Sequence, residues 1–129
     1  MISDDTRNRV RRRFPRVPLE GEATVLLDGI VRSSKLTDLS PAGVQLTCHR
    51  QVVDQISSEK SDAGLYPDIH LEFPLPGDAR QQRSIRATCS VFACRRLSQD
   101  YYQLALQFRS LEPKAERVIG SYIERAVAA

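Results

Sequence analysis

No apolar run in the chain approaches the roughly 20 residues that a helix needs to cross a bilayer, so no membrane insertion is expected. The opening Met1-Ile2-Ser3-Asp4-Asp5 lacks the basic-then-apolar layout of an export signal, and the expected compartment is the cytoplasm. Cysteine is scarce. Three residues, an odd number without regular spacing, do not make a secreted disulfide framework, and all three are read as reduced thiols. Gly-x-Ser-x-Gly, a Walker loop and His-Glu-x-x-His are all missing, and neither His49 nor His70 has an evident orienting acid. No enzyme reading has support. Cys89 and Cys94, at odd separation in a strand pattern, are expected on opposite faces, and Cys48 and His49 diverge likewise, so no metal site is expected. Internal repeats and low-complexity segments are also lacking.

What is present reads as one folded domain. A chain of 129 residues with 41% hydrophobic and 27% charged residues has the composition of a soluble globular protein with a single core. Ala23, Val25 and Leu27 alternate with Thr24 and Leu26, and Asp28-Gly29 supplies a turn. A returning strand runs from Ser34 to Ser40, where Ser40-Pro41-Ala42-Gly43 has the residue types that a type I turn favours. Val44, Leu46 and Cys48 then share one face of a strand. Ile69, Leu71 and Phe73 share a face of another, which Pro74-Leu75-Pro76-Gly77 stops, and His70 faces solvent. Ile85, Ala87, Cys89, Val91 and Ala93 make one face of a longer strand, and Tyr102, Leu104, Leu106 and Phe108 one face of the next. These six strands at hairpin spacing predict an antiparallel barrel, closed or nearly so.

The polar stretch from Arg50 to Pro67 lacks sustained alternation and is expected to be a loop with room for one short helical turn. The pattern changes to a helical period at Leu111, Ala115, Val118, Ile119, Tyr122, Ile123, Ala126 and Val127, with Pro113 in the first turn. That helix should pack on the barrel, and close packing would account for Gly120 inside it. The fold class is therefore all-β dominated, a six-stranded antiparallel barrel with a C-terminal α-helix. Residues 1–18 are expected to form a flexible arginine-rich segment, and residues 19–129 the barrel and helix.

The charge is unevenly placed. Residues 7–16 hold six arginines, Arg7, Arg9, Arg11, Arg12, Arg13 and Arg16, and no acid. Setting these six aside leaves 13 basic residues against 16 acidic ones, so the rest of the chain is net negative. Such local basicity fits a compact anionic partner better than a long polyanion. A guanidinium is permanently charged, forks onto phosphate or onto the O6/N7 edge of guanine, and stacks on a purine face. Taken alone, the segment reads as a solvated basic tail. A second group is Asp38-Leu39-Ser40-Pro41-Ala42-Gly43, in which Asp38 and Ser40 emerge on one strand face. A carboxylate accepts from the donor edge of guanine, a hydroxyl donates and accepts, and Gly43 allows a tight turn and a close ligand. Taken alone, this is a good hairpin turn.

Together, Arg12-x-x-x-Arg16 followed by Asp38-x-Ser40-x-x-Gly43 at a strand-turn-strand resembles the PilZ domain family, and the strand pattern fits over Arg11 to Val127. The resemblance implies a bacterial cyclic di-GMP receptor. The arginine segment wraps the ligand, and Asp38, Ser40 and Gly43 lie on the barrel surface. An arginine just ahead of the first motif, here Arg11, is associated in that family with a stacked pair of ligands, so two cyclic di-GMP molecules per chain are expected. Arg7, Arg9 and Arg13 are additional candidates. The sequence departs from the family in the long Arg50 to Pro67 connection and at Ala105, where a glycine is common. The expected role is that of an adaptor whose affinity for a bacterial signalling or motility protein changes on ligand binding. Two alternatives stay open: a small barrel that binds nucleic acid, and a PilZ-like scaffold acting only through protein contacts. The first is disfavoured because the barrel is net acidic and its strands offer no evident exposed aromatic platform, so nucleic acid is not an expected partner.

Overall fold

The computed structural model describes residues 15–76 and 82–128. Its elements are β1 (Val17–Pro18), β2 (Glu22–Leu27), β3 (Ile30–Ser40), β4 (Gly43–His49), α1 (Arg50–Ser58), β5 (Ile69–Pro76), β6 (Gln82–Arg96), β7 (Tyr101–Leu111) and α2 (Ala115–Ala128). Strands pair in the order β3-β2-β5-β6-β7-β4, and a β3–β4 pairing closes the ring into a six-stranded antiparallel barrel. Closure leaves no free sheet edge in the ring. The two-residue β1 adds to β3, matching Val17 with Leu39 and Pro18 with Asp38. Val17 and Leu19 are both buried, so the sheet begins inside the segment expected to be flexible up to residue 18.

The period-2 residues fill the barrel: Ala23, Val25, Leu71, Phe73, Leu46, Cys48, Leu104 and Leu106 are all buried. Between β2 and β3, Asp28 and Gly29 both adopt positive φ, 49° and 78°. This left-handed pair makes the two-residue hairpin turn that matches strand twist. Bulges break the alternation in three places: between Leu36 and Asp38, between Thr88 and Cys89, and between Val91 and Ala93.

The last of these bulges corrects two expectations. Phe92 is the extra residue, so Ala93 turns outward and Cys94 faces Leu104 across the β6–β7 pair. Cys94 therefore packs against the core, on the same face as the buried Cys89 and not opposite it. Burial pushes the thiols of Cys89 and Cys48 up to about 12, with a further rise from Asp68 for the first and from Cys94 for the second. Such thiols stay protonated at neutral pH and are poor nucleophiles and metal ligands.

Residues Arg50 to Ser58, expected in a loop, form the helix α1. Val52 and Ile56, four apart, are buried on one helical face. The helix starts at His49, whose Nδ1 accepts a hydrogen bond from the Gln51 amide at 3.1 Å. Gln55 Nε2 donates to the Leu27 carbonyl at 3.3 Å and Arg50 N to the Asp100 carbonyl at 2.8 Å, which anchors α1 at the barrel end carrying the β2–β3 and β6–β7 turns.

At the other end, β7 runs through Leu111 and leads into α2, which buries Ala115, Ile119 and Ile123 and packs against β1, β3 and β5. Leu111 thus belongs to the strand, and Pro113 precedes the helix because Lys114, at φ 75°, is not helical. Val127 is exposed, off the buried stripe. Gly120 has open space where a side chain would stand, so close packing does not account for it. None of the helices among the described residues is long and apolar enough to cross a membrane.

Candidate functional site

The bulge at Thr37 decides where Asp38 points. Leu36 pairs with Leu46 and faces the core, and strict alternation from Leu36 would turn Asp38 inward too. The register instead passes over Thr37, matching Asp38 with Gln45 and Leu39 with Val44, so the fully buried Leu39 takes the inward place. Asp38 is left half-buried on the outer surface. Thr37 Oγ1 donates to the Gln45 carbonyl at 3.0 Å across the irregularity.

Beside Asp38, the turn at Ser40–Gly43 is held by the Ser40 hydroxyl. Its Oγ accepts from the amides of Ala42 and Gly43, both at 3.2 Å, and donates to the Gly43 carbonyl at 3.4 Å. Ser40 is buried, so its hydroxyl serves the turn first. Gly43 has a similar structural cause. A β-carbon there would run into the Leu106 carbonyl oxygen and lie 3.1 Å from Gln107 Cα. Backbone of β7 occupies the space that a side chain at this position would take.

These elements form one wall of an open groove of about 680 Å³, lined by Pro15, Arg16, Asp38, Ser40, Gln45, Phe92, Ala105 and Gln107, among others. Registers across the sheet set Pro18, Asp38, Gln45, Ala105 and Ala93 in one row. The Gln45 amide joins the charged pair, its nitrogen oriented to donate to Asp38 Oδ2 at 2.9 Å and its oxygen to accept from Arg16. Burial raises the Asp38 carboxyl above the ordinary carboxylate range, and the positive charge of Arg16 opposes this without cancelling it. The site therefore combines an exposed guanidinium, a carboxylate short of solvent and an amide already oriented between them. It can take a ligand with anionic oxygens for Arg16 and paired N–H donors for Asp38.

Of the residues expected from sequence, Arg16, Asp38, Ser40 and Gly43 come together at this groove. Arg7, Arg9, Arg11, Arg12 and Arg13 lie outside the described residues. Sequence reasoning missed Gln45, Phe92, Ala105 and Gln107 as lining residues. Gln45 had a usable signal, since a two-residue turn at Pro41-Ala42 puts it close across from Asp38. Phe92 had only half a signal, an aromatic on the outer side of an alternating strand. It overturns the expectation that the strands offer no exposed aromatic, being 63% exposed.

The family model described as PilZ domain matches residues 10–125. No curated protein sequence matches the chain. Among solved structures, the chain is similar to the Bacillus subtilis inhibitor of motility MotI/DgrA, with a TM-score of 0.70 at 12% identity, over 92% of this chain and 52% of that one. It is also similar to Borreliella burgdorferi PlzA in complex with c-di-GMP, with a TM-score of 0.58 at 11% identity, over 99% and 58% of the two chains. A third likeness is to the PilZ domain of Escherichia coli YcgR with c-di-GMP, with a TM-score of 0.55 at 17% identity, over 92% of each. At these identities the likeness is one of fold. The chain spans about half the length of MotI and PlzA and most of the YcgR domain.

Proposed function

We propose, from the premise that this chain belongs to the PilZ domain family, that it is a cyclic di-GMP receptor that changes its affinity for a partner protein when the nucleotide binds. The observation that carries this reading is the convergence of Arg16, Gln45 and Asp38 in one groove directly after the arginine segment. The neighbours PlzA and YcgR were solved with c-di-GMP, which supports the same ligand here. Each ligand has two phosphates for guanidiniums and two guanines whose N–H edges suit Asp38. A stacked pair of ligands brings four negative charges together, and only a strongly cationic site offsets their repulsion. Arg11, Arg12 and Arg16 supply three permanent charges, so two molecules per chain is the proposed stoichiometry.

On this reading the groove serves recognition, through the exposed guanidinium of Arg16, the carboxylate of Asp38 and the amide of Gln45. The output is mechanical. The arginine segment leads into β1, where Pro18 pairs with Asp38 and its carbonyl accepts from Tyr122 Oη of α2 at 3.4 Å. Ligand that docks the segment on the groove therefore acts on the strand that touches α2, and a partner reading α2 senses the change. The partner is a bacterial signalling or motility protein, a class in keeping with the MotI likeness.

Calorimetric titration with cyclic di-GMP tests ligand and stoichiometry together. The expected result is saturable binding of two molecules per chain that survives competing RNA, moving toward one in Arg11→Leu. No saturable binding, or binding abolished by RNA, would overturn the receptor reading in favour of the nucleic-acid or scaffold alternatives.

A further inference from the structure

The barrel ring has no free edge, but β3 extends beyond it. Its pairing with β4 stops at Lys35 and Thr47, because the chain leaves the sheet at His49 and enters α1, which packs on β4 and β7. Residues 30–34 therefore have β2 on one side and no strand on the other among the described residues. The hairpin sets which backbone groups face that open side. A two-residue turn at Asp28-Gly29 makes Leu27 and Ile30 the hydrogen-bonded pair, so Ile30, Arg32 and Ser34 turn their amides and carbonyls toward β2. Leu36, two places on, keeps this sense by donating its amide to the Gly21 carbonyl at 2.8 Å. Val31 and Ser33 turn theirs to the open edge.

Natural sheets commonly blunt an open edge with proline or a bulge. Residues 30–34 have neither, and they display Val31, 60% exposed, beside the half-buried Leu26 on the outer face of the hairpin. Arg32 projects on the opposite face, exposed, with no carboxylate in salt-bridge range among the described residues. We infer that this edge is a docking strand for an extended acidic segment of a partner protein, which adds to β3 as one more strand. Backbone hydrogen bonds to Val31 and Ser33 hold the segment, an apolar side chain covers Val31, and a carboxylate opposite Arg32 takes its charge. Arg32 also excludes a second copy of this chain. The symmetric antiparallel pairing that uses both Val31 and Ser33 sets the two copies of Arg32 directly opposite, and like charges so placed destabilise the pair. The edge lies at the barrel end away from α2 and the Ser40–Gly43 turn, so the inference does not rest on the receptor reading.

A fluorescein-labelled peptide of alternating valine and glutamate, titrated with the full chain and followed by anisotropy, should bind saturably. The same peptide with lysine in place of glutamate should not. Arg32→Glu should weaken the glutamate peptide about tenfold or more, the range for losing a charge-assisted contact, and should admit the lysine one. Val31→Pro removes an amide that faces the open edge and leaves the β2 ladder whole, so it should abolish binding with thermal unfolding unchanged. Should the proline variant fail to fold, the charge reversal at Arg32 decides alone. No binding of the glutamate peptide, equal binding of both peptides, or full affinity in Arg32→Glu would each overturn the docking strand. Dimerisation of the unaltered protein in sedimentation, lost in Val31→Pro, would overturn it in favour of a second copy.

Discussion

Replacing Gly43 with alanine should destabilise the barrel before it affects any ligand. The added β-carbon would meet the Leu106 carbonyl, with Gln107 Cα 3.1 Å away, and both are backbone atoms of β7 that cannot rotate aside. Relief requires β4 and β7 to separate at the Gly43–Gln107 and Val44–Leu106 pairs, next to the hydrogen bond from Phe108 N to Ala42 O at 2.8 Å. Val44 and Leu106 are core residues, so the separation also opens packing. Overpacking of this kind costs about 1–3 kcal/mol, and the backbone contact puts Gly43→Ala at the upper end, about 3 kcal/mol. For a domain of this size that lowers Tm by roughly 10 °C. Urea denaturation followed by circular dichroism gives the stability, and titration at a temperature where the variant is still folded gives the affinity. A midpoint within error of the unaltered protein would refute the assignment of Gly43 to the β4–β7 contact and return it to the ligand.

Asp38→Ala should weaken cyclic di-GMP binding by about ten- to a hundredfold through loss of charge-assisted hydrogen bonds, whereas Ser40→Ala should mainly cost stability, about 1–3 kcal/mol, by orphaning the Ala42 and Gly43 amides; a larger affinity loss at Ser40 at constant stability would reverse these roles. Arg16→Ala, and separately Arg12→Ala, should reduce affinity by about tenfold or more without unfolding the barrel, and normal binding by both folded variants would remove the first motif from the site. Because Asp38 has a raised pKa and the ligand's donors favour its carboxylate, binding should release a proton, with affinity rising as pH climbs through that pKa and levelling above it; an Asp38→Asn variant that keeps the same pH profile would show that another group is responsible. The same shift favours folding below the unfolded carboxyl pKa and is lost as pH rises through the folded one. Gly120→Ala should stabilise the fold by about 0.5–1 kcal/mol, since α2 has open space there and alanine is the better helix former, and a fall in Tm would expose a contact at that position.

Local chemistry determined the strands, their inward faces and the two turns. Alternation of apolar and polar residues suffices wherever a strand has one dry face, as at Ala23, Val25 and Leu27 or Ile69, Leu71 and Phe73. Asp28-Gly29 and Ser40-Pro41-Ala42-Gly43 carry their turn preferences in their own side chains and backbone freedom. Both motifs were legible for the same reason, being short and read within one segment. Helix α1 was missed because its signal is only Val52 and Ile56 in nine residues, and its cap is a histidine in place of the usual Ser, Thr, Asp or Asn. Tertiary structure alone decided the rest. A bulge is a mismatch of residue count between two strands, so whether Thr37 or Phe92 is the extra residue depends on the register of a partner remote in sequence. Each such mismatch reverses inside and outside for every residue beyond it. That reversal brought Asp38 to the surface, turned Ala93 outward and turned Cys94 toward the core.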